Sequence, residues 1–472
     1  MRELAAAYER VGEVQGHFLL SSLGDAAQSL ASYQKAFALR QRLAIDHPRE
    51  TKDRLALAVT HRLLANQLWA TGNFAGSREH IAKAVAIAGE LPQDMETLTE
   101  ESAEYHLQSQ IQDNGEMGSL ADPSSANESA RNEERIVSAM LQKAPGNADI
   151  QHSYEQSLVS LGERLEGVGD WHGVIDRYQK ALTVGGRLSD RNPTVENRRL
   201  LASVYNHLSY AQDQLTDHSA SLRSASEALG IYLDLSLSDP RNEMVMRGVA
   251  ISRMNVAAQL AIRGDYSAGL ASIDKSIETM QTVVSANPKN IRHLSTLGNM
   301  YEGRGDIHLL GHDPAGAAVD YAKACEVYDL ARVADAGDSG GRQLSAECRT
   351  RLGRATLSLG RMASAGTSYQ EALGFMESVL TKTSPDVDAL YNLADAYAGL
   401  GDVEVAKAAS RGHLDEATTH WQKARAWYTS SLETWNKIPE PLHTRSQGTP
   451  GDNPQEVADK LRRCEEALKG TG

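Results

Sequence analysis

A repeat of about 48 residues runs along nearly the whole chain and restricts its fold more than any other feature. Ala36, Ala84, Ala181, Ala228, Ser276, Ala324, Ala372 and Ala424 are separated by 48, 97, 47, 48, 48, 48 and 52 residues. The gap of 97 equals two periods, so one unit there has lost its signature. Three residues before most of them stands a bulky side chain: Tyr33, Ile81, Tyr178, Ile273, Tyr321, Tyr369 or Trp421, with Ala225 the exception. Twelve residues before them runs a second line of Gly24, Gly72, Gly169, Thr216, Gly264, Gly360 and Gly412, with Gly311 one place out of register. Glycine adopts the positive φ that closes a helix, and the Asp or Asn that often follows begins the next. A third line, Pro48, Pro193, Pro240, Pro288 and Pro385, ends the units, because proline cannot continue a helix interior.

Between these marks the pattern is helical. An aliphatic residue followed by a small one precedes the turn, as in Leu64-Ala65, Leu161-Gly162, Val256-Ala257 and Leu352-Gly353. The small member lets two helices approach closely. Two helices of roughly 17–20 residues plus two turns account for one unit. The expected architecture is an all-α solenoid of about nine antiparallel helix pairs over residues 1–440, with units ending near 48, 96, 145, 193, 240, 288, 337, 385 and 440. A linker over 441–453 and a capping helix over 454–472 follow. Second turn signals at Gly12, Gly305 and Gly401 predict insertions in units one, seven and nine. The polar, Ser-rich stretch 114–134 predicts a mobile loop leading into a helix in the degenerate third unit.

The segments LSTLGNMYEGRGD (294–306) and ALYNLADAYAGLGD (389–402) resemble the first helix of a tetratricopeptide repeat. GDWHGVIDRYQKAL (169–182) and GRMASAGTSYQEAL (360–373) resemble its turn and second helix. The period departs from that family's usual repeat of about 34 residues. The resemblance implies a scaffold that binds a partner protein or peptide on its concave face, and no enzyme. In that family a stripe three, six and ten residues before the turn glycine contacts the partner. Here the stripe comprises Arg62, Asn66 and Trp69; Val159, Glu163 and Glu166; Ser295, Asn299 and Glu302; and Tyr391, Asp395 and Ala398. Its acidic members suit a basic or neutral partner segment, and the paired Lys and Asn by which some members clamp a terminal carboxylate are missing. Trp421 and Trp435 share a helix face and are expected in the core, leaving Trp427 as an aromatic anchor for a partner. The long period and the WYTSSLETW…LRRCEEAL ending are also similar to the region after the kinase domain in some bacterial serine/threonine kinases. This supplies an alternative: the regulatory part of a signalling protein whose kinase lies outside this chain.

A formal charge of −14 argues against nucleic acid and anionic membrane surfaces as partners. No apolar run is long enough to span a bilayer and the N-terminus lacks a signal core, so the default location is the cytoplasm. An extracytoplasmic location follows if the chain is the tail of a membrane-spanning kinase. Cys325, Cys348 and Cys464 fall in no metal or disulfide pattern and are expected as buried small residues. No cofactor or metal site is indicated, and nothing sets the oligomeric state. GDSGG at 337–341 matches the surroundings of a protease nucleophile, here Ser339, but the β-barrel that such a site needs is not encoded. A Gly-rich linker explains it. His308 and His312 fall at the expected insertion of unit seven and do not complete a metal site.

Overall fold

The structure, a computed structural model, describes residues 1–16, 26–71, 73–112, 122–334, 339–380, 387–410, 414–438, 443 and 451–470. It forms two compact units, Met1–Asn192 and Pro193–Gly472. The first holds the pairs α1 (Arg2–Gly16) and α2 (Ala26–Asp46), α3 (Thr51–Ala70) and α4 (Phe74–Gly89), α5 (Met95–Gln112) and α6 (Pro123–Lys143), α7 (Ala148–Glu166) and α8 (Trp171–Arg191). The second holds α9 (Val195–Gln214) and α10 (His218–Ser238), α11 (Glu243–Ile262) and α12 (Tyr266–Ala286), α13 (Ile291–Leu310) and α14 (Pro314–Ala334), α15 (Ser339–Ser358) and α16 (Met362–Leu380), α17 (Val387–Ser410) and α18 (Leu414–Trp435). A last helix, α19 (Pro454–Gly470), caps it. The described residues are thus an all-α solenoid of nine helix pairs with a C-terminal cap. Among them, no helix is long and apolar enough to cross a membrane.

Turn chemistry sets the period. Asn73, Asp122, Asn147, Asp170, Thr194, Asp217, Asn242, Asp265 and Asn290 each accept a hydrogen bond from a backbone N–H in the first turn of the helix they precede. Between the two helices of a pair, Gly169, Thr216, Gly264, His312 and Gly360 take positive φ. Measured from these residues, the packing code is regular. Seven before comes a small residue and nine after comes its bulky counterpart. A Cβ on Gly162 would lie 2.4 Å from the Tyr178 ring, on Gly305 2.6 Å from Tyr321, and on Gly353 2.8 Å from Tyr369. Where the small residue is Ala65 or Ala257, the counterpart shrinks to Ile81 or Ile273. At Ser209 it is Ala225, so the exception in the sequence line follows from volume matching; both are buried. Within each unit every helix packs on its successor, and buried clusters bridge neighbouring pairs. One such cluster joins Ala250, Met280, Leu297 and Tyr328.

Several expectations are corrected. Gly12, Gly305 and Gly401 are not turns, because α1, α13 and α17 run straight through them. Each admits a tyrosine instead: a Cβ there would lie 2.7 Å from Tyr33, 2.6 Å from Tyr321 and 2.4 Å from Tyr428. Unit seven therefore has no insertion, and its left-handed turn residue is His312. His308 lies in the last turn of α13, 2.9 Å from Asp313. In the third unit, 123–134 is already helix α6, while 113–121 lie outside the described residues. Gly24, Gly72, Pro385, Gly412 and most of the expected linker also lie outside them. Cys325 and Cys348 form a disulfide, Cα atoms 5.5 Å apart, between α14 and α15, against the reading that no disulfide is present. Cys464 is free and buried.

Candidate binding surface

The first helices of the pairs adjoin one another as well as their own partners. In the second unit α9, α11, α13, α15 and α17 form a continuous row; in the first, α3 adjoins α5. Polar side chains link the row at its junctions. Between α9 and α11, Asn206 donates to Ser252 Oγ at 2.9 Å and Gln259 donates to Asp213 at 2.8 Å. Between α11 and α13, Arg247 Nε donates to Thr296 Oγ1 at 2.8 Å. Between α13 and α15, Arg351 donates to both Asp306 oxygens at 2.8 Å. In the first unit Arg62 of α3 donates to Glu100 of α5 at 2.7 Å.

The expected stripe residues fall on this row with different exposures. Asn66, Val159, Glu163 and Ser295 are half-buried, and Asn299 is exposed. Arg62 is engaged by Glu100, and Trp69 packs against the cluster of Ala65, Ile81 and Leu107. Glu302 is only 7% exposed; its Oε2 and Asn299 Oδ1 both accept from the Tyr328 hydroxyl, at 3.0 and 2.6 Å. Glu166 accepts from Tyr178 at 2.6 Å. Asp395 and Ala398 are buried, and Tyr391 packs edge-on against Trp435, centroids 5.4 Å apart. Burial raises the Glu166 carboxyl to about 7 and pushes Glu302 up as well. The acidic stripe is thus largely taken up inside the protein. In units seven and nine the stripe is numbered from Gly305 and Gly401, which lie inside α13 and α17. Those glycines stand seven and eleven residues before His312 and Gly412, and such steps return to nearly the same side of a helix.

Trp435 is buried with Val457 and Cys464 of the cap, and Trp421 packs partly buried on the same cluster. Trp427 is half-buried and stacks on Tyr397, centroids 5.8 Å apart. Ser339 opens α15, while 335–338 lie outside the described residues. Among the described residues no three His, Cys, Asp or Glu side chains are grouped to hold a metal.

Some buried polar groups carry no signal in a single sequence. Glu104 and Glu155 are fully buried, neither oxygen of either makes a hydrogen bond, and burial raises each to about 8. Glu155 occupies the notch left by Gly185. His61 and His80 meet at 3.0 Å between their Nδ1 atoms, with Phe37 packed edge-on against both. Only Gly185, opposite a carboxylate at a position filled elsewhere by alanine, could have hinted at Glu155.

A family model described as tetratricopeptide repeat matches residues 387–411. A search of curated proteins found no match. Among solved structures, the chain is similar to a Rap protein complexed with competence and sporulation factor (10% identity, 89% of this chain and 100% of the other, TM-score 0.45). It is also similar to BtubC from P. vanneervenii (18% identity, 55% and 91%, TM-score 0.42). A third is a tetratricopeptide repeat protein from Parabacteroides merdae (13% identity, 69% and 96%, TM-score 0.36). None of these matches links the chain to a kinase.

Proposed function

We propose that the protein is an interaction scaffold that binds a partner protein or peptide along the row of first helices. The observation that carries this reading is the row itself. Adjoining helices of successive pairs present polar and half-buried side chains at a fixed period, a surface suited to an extended segment. A rigid framework lowers the ordering cost of such binding. On compartment, the Cys325–Cys348 disulfide favours an oxidising environment over the cytoplasmic default.

Selection of displayed peptides against the full chain tests the reading. Asn66→Ala should weaken several-fold the selected peptides that map to the first unit and Asn299→Ala those that map to the second, while Val319→Ser, on the exposed face of α14, should leave both unchanged. Binders indifferent to every first-helix variant would refute the row as the binding surface.

A further inference from the structure

Several partly buried arginines elsewhere along the first helices have a carboxylate partner. Arg62 has Glu100, Arg351 has Asp306, and Arg354 stands 3.9 Å from Asp452. Arg247, the fifth residue of α11, is half-buried and has none among the described residues: its guanidinium donates from Nε to the neutral Thr296 hydroxyl. Beside it, the second and third residues of α13 are Arg292 and His293. Arg292 is exposed; its carbonyl accepts from the Thr296 hydroxyl at 2.7 Å, and among the described residues no carboxylate pairs with its guanidinium. His293 is 5% exposed and its Nδ1 makes no hydrogen bond; the nearby carboxylate Glu243 stands 3.7 Å from that atom and does not pair with either arginine.

The two arginines sense each other. Burial, and next to it the charge of Arg292, lowers the affinity of Arg247 for its proton. Burial likewise lowers His293; the charge of Glu243 opposes this, and both arginines add to it. Thr296, whose hydroxyl accepts from Arg247 Nε at 2.8 Å and donates to the Arg292 carbonyl at 2.7 Å, ties the two residues together, and beside the single carboxylate of Glu243 they leave a surplus of positive charge in a chain of net charge −14.

We propose that Arg247 and Arg292, at the α11–α13 junction of the row, form a seat for an anionic group, a carboxylate or phosphate carried by an acidic segment of the partner. The guanidinium of Arg247 keeps its Nη donors available while Thr296 fixes its Nε, which is the arrangement a two-oxygen anion can use. The proposal rests on the reading of the row as the binding surface and reverses its expected charge preference: the acids are engaged internally, and the available charge is positive.

The test uses the full chain and a fluorescein-labelled hexa-aspartate peptide, followed by anisotropy at low ionic strength, with hexa-lysine as the comparison. Hexa-aspartate should bind in preference to hexa-lysine and weaken as salt is added. Arg247→Ala should lower its affinity at least tenfold, Arg292→Ala several-fold, and Arg247→Lys less than Arg247→Ala. Arg223→Ala, on the exposed side of α10, should change nothing. Displacement of the peptide by inorganic phosphate, but not by acetate at equal concentration, would assign the seat to phosphate; equal displacement would assign it to either oxyanion. Circular dichroism confirms that each variant is folded. Failure of hexa-aspartate to bind, or equal binding to Arg247→Ala and Arg292→Ala, overturns the seat. Displayed peptides that depend on Asn66 or Asn299 but not on Arg247 would leave the row standing without the seat. Hexa-aspartate binding that depends on Arg247, with no displayed peptide mapping to the row, would do the reverse.

Discussion

A left-handed backbone conformation costs an L-residue about 1–2 kcal/mol, and glycine avoids most of that cost. Of the five turns whose left-handed residue is described, three use glycine, but Thr216 and His312 adopt φ of 59°. Neither side chain makes a hydrogen bond or ion pair that would compensate. Thr216→Gly and His312→Gly should each raise the unfolding free energy by about 0.5–1 kcal/mol, after the larger chain entropy of glycine is allowed for. A higher urea midpoint with an unchanged slope would bear this out; a lower midpoint would contradict it. The opposite outcome belongs to Gly305, which admits Tyr321. Gly305→Ala would drive a methyl to 2.6 Å from the ring and should destabilise by about 1–3 kcal/mol, although alanine is the better helix former. Single-residue patterns explain why Gly305 was misread. A glycine before an Asp carries the same signature whether it bends the chain or clears room for a ring, and only the tyrosine sixteen residues on distinguishes the two.

At the scale of the helix, the first unit contains groups whose ionisation opposes folding from both sides of neutrality. Glu104 on α5 and Glu155 on α7 are raised to about 8 in the folded protein by burial, from an unfolded value near 4.5. Their contribution to stability is complete below about pH 4.5 and is lost as pH rises toward 8. His61 on α3 is lowered to about 4, chiefly by burial and then by His80, from an ordinary 6.5. Its contribution is complete above 6.5 and is lost as pH falls toward 4. With two such carboxyls against one histidine, stability of the unit should be greatest near pH 4.5 and fall as pH rises from there toward 8, His61 offsetting part of that fall up to about 6.5. Hydrogen exchange read helix by helix should show α5 and α7 opening faster as pH rises from about 4.5 toward 8, once the intrinsic rate is corrected, and Glu155→Gln should flatten that limb. A flat profile in the parent chain would count against buried, unpaired carboxyls. Apart from the register that sets Glu155 where other units carry alanine, nothing in the sequence distinguishes these glutamates from surface ones. The helices that hold them were legible because caps, glycines and apolar spacing repeat, whereas a buried polar group appears once and depends on neighbours brought together by packing.

For the molecule as a whole, periodicity carried the architecture: nine pairs and a cap follow from recurring residues. The division near residue 192 was not legible as a domain boundary, because Pro193 is one of several prolines that end units. The burial of the stripe's acids was not legible for a related reason. Acids such as Glu302 were counted as surface, and their partners, Tyr328 and Arg351, arrive from other helices. The disulfide between α14 and α15 has a mechanical consequence. A solenoid pulled from its two ends yields pair by pair, each releasing its contour length. The bond shunts force past the chain between Cys325 and Cys348, a separation of 23 residues. About 70 Å of extension is thereby withheld, at roughly 3.4 Å per residue. In a single-molecule stretching record the total length should grow by that amount when a reductant is added. An identical length before and after would mean that the bond bears no load.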